Sequence, residues 1–61
     1  HTLMSDLIRT VNQADRTAHL WREGKLCALA AVEAIVGLGF YAVRVTERGI
    51  VGYLNGVRFE L

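Results

Sequence analysis

The last third of the chain, Tyr41 to Leu61, has the pattern of a three-stranded antiparallel meander. Asn55-Gly56 is a dipeptide that strongly favours a two-residue β-hairpin turn, because both of its residues accept positive φ. Alternating apolar residues flank this pair, and a second turn falls near Glu47-Arg48-Gly49. Since hairpin turns set strand register, the pattern predicts which side chains share a face of the sheet.

Two registers are open at the first turn. A two-residue turn gives an inner face that is apolar everywhere except at Gly52. Its members are Tyr41, Val43, Val45, Ile50, Gly52, Leu54, Val57, Phe59 and Leu61. A three-residue turn with Gly49 in a bulge would instead turn Arg58 and Glu60 inward. We prefer the two-residue turn, because burying those charges is costly.

The opposite, outer face of this meander collects the polar side chains. Its members are Ala42, Arg44, Thr46, Val51, Tyr53, Arg58 and Glu60. Arg44, Tyr53 and Arg58 form its best candidate binding cluster, with Val51 between the strands. Tyr and Arg are enriched at the energetic centres of protein interfaces, and the same pairing can stack nucleic-acid bases. The sequence therefore predicts a partner-binding face, and we prefer a protein partner.

A single apolar stripe predicts a helix over roughly Asp6 to Glu23. Apolar residues recur there at alternating spacings of four and three: Leu7, Val11, Ala14, Ala18 and Trp21. Ser5 is the expected N-cap, and Gly24 is the expected stop. The alternative is a break near Asn12-Gln13, with Asp15 capping a second, shorter helix.

The end of this helix holds a second candidate contact patch. Trp21 closes the apolar stripe, so packing in the core is its expected role. An exposed ring would instead form an anchor for a partner together with Leu20 and Arg22. We therefore include Trp21 and Arg22 among the candidate partner-binding residues.

Leu26 to Val36 is almost wholly apolar, with Glu33 as its only charge. Its alanine content and length favour a helix over a strand. A helix that is apolar all round is buried or faces another subunit. We expect Glu33 at the solvent edge of this helix; the alternative is a buried carboxylate paired across a dimer seam.

A membrane-spanning helix over Leu26 to Val43 is a competing interpretation, since these 18 residues hold one acid. Glu33 near the middle and the alternating pattern after Phe40 argue against it. We expect a helix that packs in the core of a soluble domain, and we expect no membrane partner.

A chain of 61 residues has room for only a small core. Below about 70–80 residues, folds usually add a disulfide, a metal or association to reach adequate stability. Cys27 is the lone cysteine, so an intrachain disulfide is impossible, and with His19 and His1 as the only histidines there is no Cys/His cluster with metal-ligand spacing; we therefore expect no metal site. Self-association remains, and the 52% hydrophobic content supports it. We expect a homodimer.

Few residues suit catalysis. Cys27 lies in an apolar run and is expected to be a small core residue rather than a nucleophile. Gly37-Leu38-Gly39 follows a helix instead of opening one, so it is not a phosphate-binding loop. We expect no cofactor, no catalytic residues and no enzyme activity. A lone thiol and the absence of a visible signal peptide favour the cytoplasm.

These patterns predict one small α+β domain, ααβββ, with two helices packed on one face of the meander. We expect a non-enzymatic protein-binding or regulatory module that occupies a partner's surface, by analogy with small phage and mobile-element inhibitors. The alternative is a nucleic-acid-binding regulator that uses Arg44, Arg48 and Arg58 with Tyr53, although a net charge of +1 argues against non-specific binding. His1-Thr2-Leu3 resembles a tag remnant, which would place the native start at Met4.

Overall fold

A computed structural model describes residues 3–61 and confirms the ααβββ order. The elements are α1 (Leu3–Arg22), α2 (Ala28–Gly37), β1 (Tyr41–Thr46), β2 (Gly49–Leu54) and β3 (Val57–Glu60). The strands form one antiparallel sheet in the order β1-β2-β3. Helix α1 packs on α2 and β2, and α2 packs on β1. Both helices contribute to one core cluster with Ile50 of β2, so they cover the same face of the sheet. His1 and Thr2, part of the expected tag remnant, lie outside the described residues.

Helix α1 is continuous, so the alternative break near Asn12-Gln13 is wrong. The predicted apolar stripe is confirmed. Ala14 and Ala18 have no exposed surface, and Val11 and Trp21 pack beside them against the core. Two alanines at the centre of the stripe let the helix approach its neighbours closely, which suits the thin core of a small domain.

The two ends of α1 differ in how well the sequence predicts them. Ser5 is not the N-cap, because the helix already runs through it from Leu3. The propensities of Leu and Met for helix outweigh the capping preference of serine at this point. At the other end, Gly24 is confirmed as the stop, with φ +79°. The N–H of Lys25 donates to the carbonyl of Leu20 at 2.9 Å, which closes a Schellman motif.

Helix α2 is slightly displaced from its predicted bounds. Cys27 precedes it as the N-cap residue and makes no side-chain capping bond. The prediction that Cys27 is buried is wrong: it is exposed, because the helix begins only after it. Gly39, with φ +110°, follows the helix and turns the chain toward the sheet. Glu33 is exposed, as expected.

Both hairpin turns have two residues, which confirms the predicted register around the turns. Asn55 and Gly56 take φ values of +53° and +78°, as a type I′ turn requires. At the first turn, Thr46 pairs directly with Gly49 across Glu47-Arg48. The Thr46 hydroxyl donates to the Gly49 carbonyl at 2.9 Å and accepts the Gly49 N–H at 3.3 Å. This side chain supports the short turn without the three-residue bulge.

A bulge does occur, but inside β1 rather than at the turn. Cα partners along β1 and β2 are Tyr41–Tyr53, Arg44–Val51, Val45–Ile50 and Thr46–Gly49. Between the first two pairs, Ala42 and Val43 together oppose Gly52 alone. Ala42 takes a φ of +52°, which is unusual for a residue other than glycine. The regular β1 that the alternation predicts is therefore interrupted near its start.

This bulge reverses the predicted orientation of Tyr41. The inner-face prediction is wrong: Tyr41 pairs with Tyr53 on the outer face. The reason lies in the core, where Phe40 is 2% exposed and Val43 packs beside it. Two inward residues three positions apart require an extra residue between them. Gly52 makes room for both, since a Cβ there would lie 3.3 Å from Phe40 Cδ2 and from Val43 Cγ2.

The core lies between the helices and the inner sheet face. Ile35 of α2 and Ile50 of β2 are its largest fully buried side chains. Phe40 and Phe59 meet edge to face, with ring centroids 5.8 Å apart. Fully burying an isoleucine or phenylalanine contributes about 1.5–3 kcal/mol, which applies to Ile35, Ile50 and Phe40, whereas Phe59 is partly buried and contributes less.

Candidate functional site

The candidate site is the outer sheet face, the side of the sheet away from both helices. Its side chains are Tyr41, Arg44, Thr46, Val51, Tyr53, Arg58 and Glu60. Cross-strand pairing orders most of them in two adjacent rows, Arg44-Val51-Glu60 and Tyr41-Tyr53-Arg58. The four sheet residues predicted from sequence therefore lie together. They do so because two-residue turns preserve the alternation of side chains across all three strands.

A stacked tyrosine pair lies at one end of this face. The rings of Tyr41 and Tyr53 are 5.8 Å apart with 25° between their planes. The Tyr41 hydroxyl also accepts a hydrogen bond from the Gly56 N–H at 3.1 Å, so it is held at both ends of its side chain. Tyr41 nevertheless remains 52% exposed. The pair is a fixed aromatic surface that faces solvent.

Sequence reasoning missed Tyr41 as a member of this face. A signal was present in the spacing of Phe40 and Val43, which a regular strand places on opposite faces. Gly52 in the neighbouring strand was a second signal, since a glycine inside a strand often marks a bulge or a close approach. Together they indicate an irregularity between residues 40 and 43.

The charges on this face are unevenly compensated. Arg58 Nη1 lies 2.7 Å from Glu60 Oε2, and both side chains are half exposed. Arg44 lies on β1, at the other edge of the sheet, and forms no ion pair within residues 3–61. The β3 side of the face is therefore locally neutral, whereas the β1 side carries a free cation.

A cleft of about 580 Å³ opens beside the first turn. Arg48 and Glu47 line it from the turn, and Val51 and Glu60 line it from the sheet. Its walls carry both signs of charge around an aliphatic surface. Such a lining suits a mixed protein surface better than a polyanion, which favours uniformly positive walls.

Trp21 and Arg22 lie in the helical layer and not on the outer sheet face. Trp21 is half-buried and packs against the core. Arg22 Nη1 donates to the carbonyl of Leu61 at 2.8 Å, and a Cβ on Gly49 would lie 3.5 Å from the same nitrogen. In this arrangement both side chains attach the end of α1 to the sheet. A role for them in partner binding stays a prediction.

The described part of the chain holds no group of three His, Cys, Asp or Glu side chains that could bind a metal ion. His19 Nε2 lies 2.9 Å from Glu23 Oε2 on the exposed surface of α1. Neither α1 nor α2, as described over residues 3–61, has the length and apolar character needed to cross a membrane. No protein-family model, curated protein or solved structure matches this chain.

Proposed function

We propose that this protein is a non-enzymatic, cytoplasmic binding module that attaches the outer sheet face to the surface of a partner protein. The observation that carries the proposal is the exposed Tyr41–Tyr53 stack, which lies beside Arg58 and is not covered by either helix. Tyrosine and arginine account for much of the binding energy at protein interfaces. This face concentrates both residue types on one rigid element.

The rigidity of the tyrosine pair supports this function. A tyrosine has two side-chain torsions, so fixing it on binding costs little conformational entropy. Tyr41 is already restrained by its stack on Tyr53 and by the Gly56 N–H. A surface ordered before contact loses less freedom on association than a flexible one.

The charge distribution indicates the chemistry of the partner. Arg44 is a cation of this face that forms no ion pair within residues 3–61, and its cross-strand neighbour is the aliphatic Val51. A complementary surface would present a carboxylate to Arg44 and an apolar group to the tyrosine rings. By covering such a surface on a larger protein, this module would regulate it, as small phage and mobile-element inhibitors do; this last step is an analogy.

A capture experiment tests the proposal. The immobilised wild-type chain and an Arg44→Ala/Tyr53→Ala variant are incubated with lysate of the source organism, and bound proteins are identified by mass spectrometry. We expect a partner that the wild type retains and the variant loses. Arg58 is left in place because it also lies on the free edge of β3.

The matched control is Arg9→Ala/Arg16→Ala, which removes two exposed cations from α1. This variant should retain the partner. Circular dichroism on all three chains checks that they are folded. Equal capture by the wild type and the outer-face variant would reject this face as the binding site.

The stacked rings also favour a second candidate, a nucleic-acid-binding regulator. Aromatic platforms next to arginines bind single-stranded bases, and Arg48 would add a further cation. Neutralisation of Arg58 by Glu60 weighs against it. A mobility shift with short single-stranded and duplex DNA across a salt series separates the two functions. Binding that falls steeply with salt would support the second candidate, and no binding at low salt would reject it.

A further inference from the structure

The two edges of the sheet differ in their capacity to accept another strand. β1 is interrupted by the bulge at Ala42–Val43, which breaks the regular spacing of its free backbone groups. β3 is regular along its length and carries no proline. Its ladder continues into Leu61, whose N–H donates to the Ile50 carbonyl at 2.7 Å. The edge of β3 is therefore the better template for strand addition.

The free backbone groups of β3 can be assigned from that last bond. Antiparallel ladders alternate, so Leu61, Phe59 and Val57 direct their backbone groups toward β2. The N–H and C=O groups of Arg58 and Glu60 consequently point away from the sheet, toward solvent. These two residues are placed symmetrically about Phe59.

We infer that a second copy of this chain adds to the β3 edge, with the two β3 strands antiparallel around a two-fold axis at Phe59. In this register, Arg58 of each copy lies opposite Glu60 of the other, and Phe59 lies opposite its own counterpart. Val57 of each copy lies opposite Leu61 of the other. Every directly opposed pair is thus of opposite charge or apolar on both sides.

The backbone supports the same register independently of the side chains. Arg58 and Glu60 are the residues with outward-facing groups, and the two-fold axis opposes them to each other. Each such pair exchanges both of its N–H···O=C bonds. A register displaced by one residue would oppose outward groups to inward ones and form no ladder.

The space beside β3 also suits a second copy. Of the three strands, α1 contacts mainly β2 and α2 contacts mainly β1, so the inner face next to β3 is not occupied by a helix to a comparable extent. Val57 is 54% exposed there, although it belongs to the apolar inner face. In the proposed pairing, Leu61 of the second copy covers it.

Helix α2 is the main competing surface for self-association. Leu29 is 68% exposed and Val36 is 50% exposed, and Glu33 lies between them on the same side of the helix. A two-fold seam centred on this stripe would bring the two Glu33 carboxylates together. Like charges facing each other disfavour that seam, whereas the β3 register pairs opposite charges.

The resulting dimer would contain one continuous sheet with three strands from each copy, and both outer sheet faces would lie on the same side of it. The inference does not depend on the proposed function, since it concerns the edge of the sheet and not the tyrosine pair. An interface along one short strand is small, so we expect a reversible dimer in the micromolar range.

Sedimentation equilibrium on the full chain tests the inference, from about 10 μM to about 1 mM, a range that covers a weak interface. The wild-type mass should rise from the monomer value of 6.8 kDa toward twice that value. Arg58→Glu, which opposes two acids at each of the two positions, should weaken the dimer about tenfold or more. Glu60→Arg should do the same by opposing two arginines.

Mixing these two variants is the decisive measurement. The Arg58→Glu chain carries acids at both positions, and the Glu60→Arg chain carries arginines at both. Every charged pair across the seam of a heterodimer then joins opposite charges, so an equimolar mixture should recover the dimer mass. The double variant Arg58→Glu/Glu60→Arg should also dimerise. The double variant also restores the Arg58–Glu60 ion pair within each chain, so its recovery agrees with the register without isolating the contact between chains. Recovery in the mixture depends on contacts between chains, and a role of this pair in folding alone would not produce it.

Arg16→Glu is the matched control, because it reverses an exposed charge on α1 far from the edge, and it should leave the mass unchanged. Circular dichroism establishes that each variant is folded. A wild type that stays monomeric at about 1 mM overturns the inference. So does a dimer that survives both reversals or is lost in Leu29→Glu instead, and failure of the mixture to recover the dimer overturns the register.

Discussion

The two hairpins of the sheet share β2 and differ in regularity. The β2–β3 hairpin keeps one register from Leu54–Val57 to Val51–Glu60. The β1–β2 hairpin changes register at Ala42–Val43. Because β3 is regular, its free backbone groups are evenly spaced along its edge. The bulge in β1 places Tyr41 on the outer face and interrupts the even spacing of the free backbone groups of β1. The same small sheet thus has one regular edge, on which the inferred dimer depends, and one exposed tyrosine face, on which the proposed function depends.

The bulge is stable because of what it buries. A left-handed backbone at a residue other than glycine costs about 1–2 kcal/mol, which applies to Ala42 at φ +52°. Phe40, at 2% exposure, recovers about 1.5–3 kcal/mol by entering the core. The burial of one aromatic ring therefore outweighs the strain of one alanine.

The largest expected effect comes from filling the space opposite the bulge. In Gly52→Val, the new side chain would press on Phe40 and Val43, which already lie 3.3 Å from the Cβ position. We expect a loss of about 3 kcal/mol in the free energy of unfolding, measured by urea denaturation. Phe40 has little freedom to move, because it packs edge to face on Phe59.

Gly37→Ala is the control for this substitution. No atom lies within 4 Å of a Cβ at Gly37, and the residue is helical. It should be neutral or stabilise the protein by up to about 1 kcal/mol. Comparable losses in both variants would mean that the bulge does not depend on the missing side chain at position 52.

A smaller effect is expected at Ala42. Ala42→Gly relieves the backbone strain, partly offset by the extra freedom of glycine in the unfolded chain, so we expect stabilisation of up to about 1 kcal/mol. Ala42→Val should destabilise by more than about 1 kcal/mol, since a β-branched residue tolerates positive φ poorly. Thermal unfolding would show these changes with opposite signs. Destabilisation by glycine, as in an ordinary strand, would argue against the bulge.

The smallest expected effect is at the tyrosine hydroxyls. Tyr41→Phe removes the acceptor of the Gly56 N–H but keeps the ring stack, so we expect a loss of about 0.5 kcal/mol. Tyr53→Phe is the matched control, because its hydroxyl makes no hydrogen bond within residues 3–61. Equal unfolding midpoints for the two variants would show that this bond adds nothing to stability.

Much of the fold was predictable because its signals are local. The Asn55-Gly56 turn requires positive φ at both positions, and few other dipeptides accept it. Gly24 ends α1 because its position also requires a positive φ, which glycine accepts without strain. Regular alternation then placed Arg44, Val51, Tyr53 and Arg58 on one face, where the structure has them. In each case the preference lies in a few neighbouring residues.

The failed predictions for Ser5 and Cys27 concern the residue at which a helix begins. Ser5 has the side chain of an N-cap, yet the helix runs past it. Cys27 lies in an apolar run, yet its backbone is extended before α2 and its side chain is exposed. The type of a residue sets its conformational preference, and the position at which the neighbouring helix begins decides whether that preference is met.

The sequence by itself determined the order of the elements, both turns and the register around them, since these depend on backbone preferences and alternation. Only the tertiary structure decided the bulge, because Phe40 and Val43 must both reach a core built by α1, α2 and Gly52. An alanine takes a left-handed backbone only where packing outside its own segment compensates the strain. The face on which Tyr41 lies, and the irregular edge of β1, follow from that packing.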